Sequence, residues 1–239
     1  MRRFVVVVAA LSAVLVLAGC TVGTTIAGRS VHAASSASGT AAPTPTRSPT
    51  RDQLTAWVDA AAPSATVLGS PTVEEHKGIY GIPVPCPNRY DGVTNVVWSH
   101  VWYWTGGKLG YLEEQAVAVW NPEAKYVVAM VAVLPHNCQT YPYSDNGGTY
   151  TITELGDDKL AAPAGIDGAF AWCEQSTQLT PAKNKGDQAV YCDAVLSRGQ
   201  ALIRLRAYGD DPTVASAEQK LGAAIPLTVP AFIAADPLG

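Results

Sequence analysis

The sequence predicts an α+β fold: a mainly antiparallel sheet with a few packed helices, stapled by two disulfides. Three observations predict it. Segments rich in β-branched and aromatic residues recur at close spacing and are joined by short turns such as Thr105-Gly106-Gly107-Lys108, the pattern of hairpin-connected strands. Helical stripes occur singly before, between and after those strands, which indicates helices packed on an antiparallel sheet rather than a βαβ series. Four of the five cysteines, Cys86, Cys138, Cys173 and Cys192, lie among these segments, as in exported domains that close disulfides in an oxidising compartment.

The fifth cysteine belongs to the leader. Arg2 and Arg3 precede an apolar run from Phe4 to Leu17, which ends in Leu17-Ala18-Gly19-Cys20. A basic front, an apolar core and small residues before a cysteine make a secretory signal. The Leu-Ala-Gly-Cys sequence resembles the bacterial lipobox, so residues 1–19 are expected to be removed and Cys20 to carry lipid, palmitate among its acyl chains. The run is shorter than the about 20 residues needed to span a bilayer. Two acyl chains anchor stably where one is marginal, so the membrane is the first expected partner, through the anchor, on the extracytoplasmic face.

Residues 20–51 form a tether dominated by Ala, Ser, Thr and Pro, including Ala42-Pro43-Thr44-Pro45-Thr46. Such a composition has too little apolar area to offset ordering entropy, and its prolines keep it extended. The extracytoplasmic domain is expected over residues 52–239. Leu54, Trp57, Val58 and Ala61 make a helical stripe stopped by Pro63. The Pro- and Gly-containing stretch from there to Pro87 reads as loop.

Val93 to Trp104 and Tyr111 to Trp120 read as paired strands. Asn121-Pro122-Glu123 then supplies a cap, a first-position proline and an early acid. This favours a helix over Tyr126 to Leu134, although that run is apolar all round. Strands follow at Thr149 to Leu155, Phe170 to Gln175, Ala189 to Leu196 and Ala201 to Tyr208. A final helix after Asp211-Pro212 carries Val214, Ala217, Leu221 and Ala224. A symmetric hairpin about the polar loop from Thr180 to Gly186 sets Cys173 opposite Cys192, and directly opposed strand residues have the separation a disulfide needs. Cys86 with Cys138 is then the second pair.

Together, the anchor, the Pro/Thr tether, the four cysteines, Glu114-Gln115-Ala116-Val117-Ala118-Val119 before an Asn-Pro helix, and the pairs Trp172-Cys173 and Tyr191-Cys192 resemble the extracellular sensor domain of mycobacterial PknH-type serine/threonine kinases. Related domains occur as stand-alone actinobacterial lipoproteins. The resemblance covers about residues 52 to 235. It implies an α+β sheet with two disulfides and a ligand-binding cleft, and it carries over only the cysteines, as disulfide partners.

The formal charge is −4, and −6 once residues 1–19 are removed. With no basic run, the chain lacks the electrostatic footprint of a nucleic-acid partner. Ser144-Asp145-Asn146 matches one element of penicillin-binding enzymes, but the Ser-x-x-Lys and Lys-Thr-Gly elements are absent and Gly147-Gly148 makes it a turn. No nucleophile elbow, zinc helix or phosphate loop occurs, so no catalytic residue, metal or cofactor is assigned. One constellation is suggestive. Alternation from Val93 puts Trp98, His100, Trp102 and Trp104 on one strand face and Val97, Ser99, Val101 and Tyr103 on the other. Those four are the candidate ligand-binding residues if their face lines a cleft for apolar or sugar-like ligands, and core residues if it packs inward. The expected function is a lipid-anchored, extracytoplasmic, non-catalytic domain of the cell envelope that binds a small ligand or an envelope component. A hydrolase whose site is scattered in sequence and a structural or adhesion module are the alternatives.

Overall fold

The structure is a computed structural model and describes residues 48–70, 72–82, 95–120, 124–133, 139–145 and 147–238. The leader, Cys20, the tether through residue 47, Asn121-Pro122-Glu123, Cys86 and Cys138 lie outside the described residues. Helix α1 is Arg51–Ala60. It starts where Thr50 accepts from the Gln53 backbone N–H while Gln53 accepts in return from the Thr50 N–H, at 3.3 and 2.9 Å, a capping box that satisfies two otherwise orphaned donors. One short turn, α2 (Ala65–Leu68), is capped by Ser64.

Eight strands follow among the described residues: β1 (Thr72–Gly78), β2 (Val96–Gly106), β3 (Gly110–Val119), β4 (Thr140–Asp145), β5 (Gly148–Asp158), β6 (Gly168–Thr180), β7 (Gln188–Arg198) and β8 (Ala201–Tyr208). Helix α3 (Ala124–Val131) joins β3 to β4, and α4 (Val214–Ala234) closes the domain. The strands form one sheet in the order β1-β2-β3-β8-β7-β6-β5-β4, with every neighbouring pair antiparallel. The chain thus makes a three-stranded meander, crosses through α3 to the far edge, and returns in a five-stranded meander until β8 pairs with β3. The α+β antiparallel fold expected from the sequence is the fold observed, and the helix expected from Tyr126 is α3.

The sequence reading placed a loop between Pro63 and Pro87, and the structure corrects it with α2 and β1. Thr72-Val-Glu-Glu-His-Lys-Gly78 has one large apolar residue, so periodicity does not reveal it. Among the described residues it is an edge strand, paired with β2 alone, and charged residues are what keep such edges from pairing with other chains. The opposite edge, β4, contains Pro142, which a sheet tolerates at an edge because no ladder bond is lost.

Cys173 and Cys192 oppose each other across β6 and β7 and are disulfide-bonded, 19 residues apart in sequence. Of the two expected bridges this is the one among the described residues. It lies on the inner face of the sheet, where Leu112, Ala116, Ile203 and Leu205 meet Leu54, Trp57 and Val58 of α1 and Leu221 and Phe232 of α4. Trp57 stacks on Phe232 at 5.4 Å and donates its indole N–H to the Phe232 carbonyl at 2.8 Å. Each large side chain buried this way contributes about 1.5 to 3 kcal/mol.

The other face is only partly covered. Val127, Val128 and Val131 of α3 pack with Ile82 against Val117, Val195 and Leu202. Gln115 donates to the Gly81 carbonyl and the Ser99 hydroxyl at 3.0 and 3.1 Å, holding the segment before Pro83 beside them. The described residues leave the rest of that face open. No described helix is long and apolar enough to cross a membrane.

Candidate functional site

The alternation expected along β2 holds from Trp98 onward, with the tryptophans on the inner face, but Val97, expected on the other face, joins the same core because the pairing with β3 shifts between Val96 and Trp98. Trp102 and Trp104 are 5% and 4% exposed and belong to the core beneath α1 and α4. His100, 2% exposed, stacks on Trp102 with ring centroids 3.7 Å apart. Its Nε2 lies 3.0 Å from Glu75, and its Nδ1 lies 3.2 Å from Asp59 without hydrogen-bond alignment. Burial holds the imidazole below its ordinary pKa, outweighing the hydrogen bond with Glu75. Only Trp98 is partly exposed, donating to Asp59 at 3.0 Å. Three of the four sequence candidates therefore pack into the core instead of lining a cleft.

The concave site lies on the opposite face, in the part that α3 leaves open. There Tyr103, Tyr111, Tyr141, Tyr143, Tyr150, Tyr191 and Tyr208 line a cleft of about 560 Å³, within the range of small-molecule sites. Seven of the ten tyrosines of the chain thus converge on one place. On the floor, Tyr111 meets Tyr208 edge to face at 5.2 Å, and Tyr208 meets Tyr191 at 5.2 Å. Tyr103 extends this series onto β2, 6.3 Å from Tyr111. The facing wall is the β4–β5 hairpin, where Tyr143 and Tyr150 are 6.2 Å apart.

The sheet curls to bring these walls together. Tyr141 of β4 donates to Glu174 of β6 at 2.7 Å across the intervening strand. Asp145 holds the wall's turn by accepting from the Gly147 and Gly148 N–H groups at 2.7 and 3.1 Å. Gly148 is required there, since its φ is 149° and a Cβ would stand 1.9 Å from the Thr180 carbonyl oxygen.

Beneath the rings, charges are paired with one another. Arg206 donates to Asp193 through Nε, at 3.1 and 3.2 Å to its two oxygens, and through Nη2 at 3.0 Å, and its Nη2 is 3.7 Å from Glu174. Its guanidinium lies 4.0 Å from the centre of the Tyr191 ring. Arg204, fully buried, bonds Asp193 and Glu113, each at 2.7 Å. Burial raises Glu113, but the two arginines more than reverse that and hold it below its ordinary pKa. Glu174 is pushed up, by burial first and by Asp193 second. Burial likewise raises Tyr103, Tyr111, Tyr141, Tyr150, Tyr191 and Tyr208, so their hydroxyls stay protonated and can both donate and accept.

No family model and no curated protein matches the sequence. Among solved structures, the extracellular domain of PknH from Mycobacterium tuberculosis is similar, with a TM-score of 0.46 and 14% identity over 79% of this chain and 97% of that one. This is the kinase sensor group that the sequence resembles. No residue role is carried over from it.

Sequence reasoning passed over the tyrosine cleft, although part of its signal was present. Arg204, Arg206 and Tyr208 alternate with Ile203, Leu205 and Ala207, and Tyr141 alternates with Tyr143. Each pattern marks a strand with one apolar and one polar or aromatic face. What linear inspection lacks is the strand order that sets β4 opposite β2.

Proposed function

We propose that the protein is a lipid-anchored, extracytoplasmic, non-catalytic binding domain of the bacterial cell envelope whose ligand or partner occupies the tyrosine cleft. The observation that carries this reading is the convergence of seven tyrosines on a cleft whose floor charges are already paired. Recognition-type side chains are abundant there. An activated nucleophile with its base is not among them. The leader ending in Cys20 supports the anchor, and the Cys173–Cys192 disulfide supports an oxidising compartment.

One observation favours a hydrolase as the second reading. Glu174 is shifted up and Glu113 down, the split that separates a general acid from a base. The contacts favour binding over hydrolysis. Glu174 is buried, with one oxygen held by Tyr141 and the other facing Arg206, and Glu113 is bonded to Arg204. Native mass spectrometry of the protein extracted from its own membrane tests the reading. The wild type is expected to retain an intact adduct that the Tyr111→Ala/Tyr143→Ala double variant loses. An adduct retained equally by both, or one released as cleavage products, contradicts it.

A further inference from the structure

The cleft also indicates the chemistry of its occupant. Arg206 reaches its floor and Arg204 lies fully buried beneath; both are engaged by Asp193, with Glu113 on Arg204 and Glu174 near Arg206. An anionic ligand would have to displace a buried carboxylate from a guanidinium, leaving that carboxylate unpaired. A cationic ligand meets the converse difficulty, because Glu113 and Asp193 already have cationic partners. Asp145 at the rim accepts two backbone N–H groups of its own turn.

What the cleft offers freely is uncharged. Tyr143 on the β4–β5 wall and Tyr111 on the floor are 46% and 39% exposed, and protonated phenol hydroxyls surround them. A ligand that satisfies both needs apolar C–H faces to lie on the rings and hydroxyl edges to exchange hydrogen bonds with the phenols. Sugar rings have those two kinds of surface in one unit.

We propose that the cleft binds a neutral, polyhydroxylated ligand, a segment of uncharged glycan, with its sugar rings stacked on the Tyr111 and Tyr143 rings. This rests on the reading of the cleft as the binding site. The test is a titration of the full-length protein, carrying ¹³C-labelled tyrosine rings, with matched hexasaccharides. N-acetylchitohexaose, maltohexaose and mannohexaose are the uncharged probes; the deacetylated chitosan hexamer is the cation and the galacturonic acid hexamer the anion.

At least one uncharged hexamer is expected to shift the cleft rings and to bind about tenfold or more tighter than either charged one. Tyr111→Ala and Tyr143→Ala should each weaken it about tenfold, the scale of one lost aromatic contact, with the melting temperature little changed because both rings are half-exposed. Tighter binding of a charged hexamer at the same rings overturns the neutral-glycan assignment and leaves the cleft as the site. Failure of every hexamer to shift the cleft rings at millimolar concentration overturns the glycan class. Binding that shifts Tyr80 and Tyr126, outside the cleft, and ignores both substitutions overturns the cleft itself.

Discussion

Glu114 is one of the buried residues that make the stability of this domain depend on pH. It faces the inner core from β3, opposite Trp102 and Leu205, is fully buried, and neither carboxyl oxygen has a hydrogen-bond partner among the described residues. Burial raises its pKa to about 8, and the nearby Trp104 indole, not aligned to donate, offsets only part of that. Below about pH 4.5 the group is protonated folded or unfolded, so ionisation does not separate the two states. As pH rises the unfolded chain ionises while the folded one does not, so stability falls by about 1.4 kcal/mol per pH unit until the folded group titrates. Glu114→Gln should remove Glu114's part of the slope, gaining about 3 kcal/mol on wild type between pH 5 and 7.5, as checked by urea denaturation at several pH values. The same measurement separates the two aromatic sets. Trp104→Ala should cost about 3 to 5 kcal/mol as an emptied core site, whereas Tyr143→Ala, half-exposed on the cleft wall, should cost under about 1 kcal/mol.

At the level of elements, the β6–β7 hairpin connects the core to the cleft. Cys173 and Cys192 point inward, while their chain neighbours Glu174 and Tyr191 point into the cleft, so the bridge fixes from beneath the register that sets those two groups side by side. Replacing both cysteines by serine should lower stability by about 2 to 5 kcal/mol, measurable by chemical denaturation. This hairpin was legible in the sequence because a polar loop lies midway between two cysteines flanked by β-branched and aromatic residues. β1 and β4 were less legible, for they are edge strands selected for charge, proline and short length instead of periodic burial. The tryptophan strand was read correctly as a strand with two faces. Which face turns inward is not legible from the sequence, since Trp and Tyr suit either environment and the answer depends on where α1 and α4 pack.

For the whole molecule, the two sheet faces divide the work: α1 and α4 seal one over a continuous core, and α3 covers part of the other and leaves the tyrosine cleft. The α+β class followed from local patterns. The cleft did not, because it exists only once the α3 crossover has carried the chain to the far edge and the curled sheet has brought β4 across from β2. If lipid on Cys20 is what holds this domain at the membrane, Cys20→Ala should release a folded protein into the soluble fraction, as cell fractionation would show. Retention through alkaline washing would contradict the anchor. The most direct measurement of the central claim is a ¹³C spectrum of the tyrosine rings of the full-length protein before and after exposure to an extract of its own cell envelope. The account predicts shifts concentrated in Tyr103, Tyr111, Tyr143 and Tyr150 with Tyr80 and Tyr126 unmoved; shifts at Tyr80 and Tyr126 with the cleft rings unchanged would contradict it.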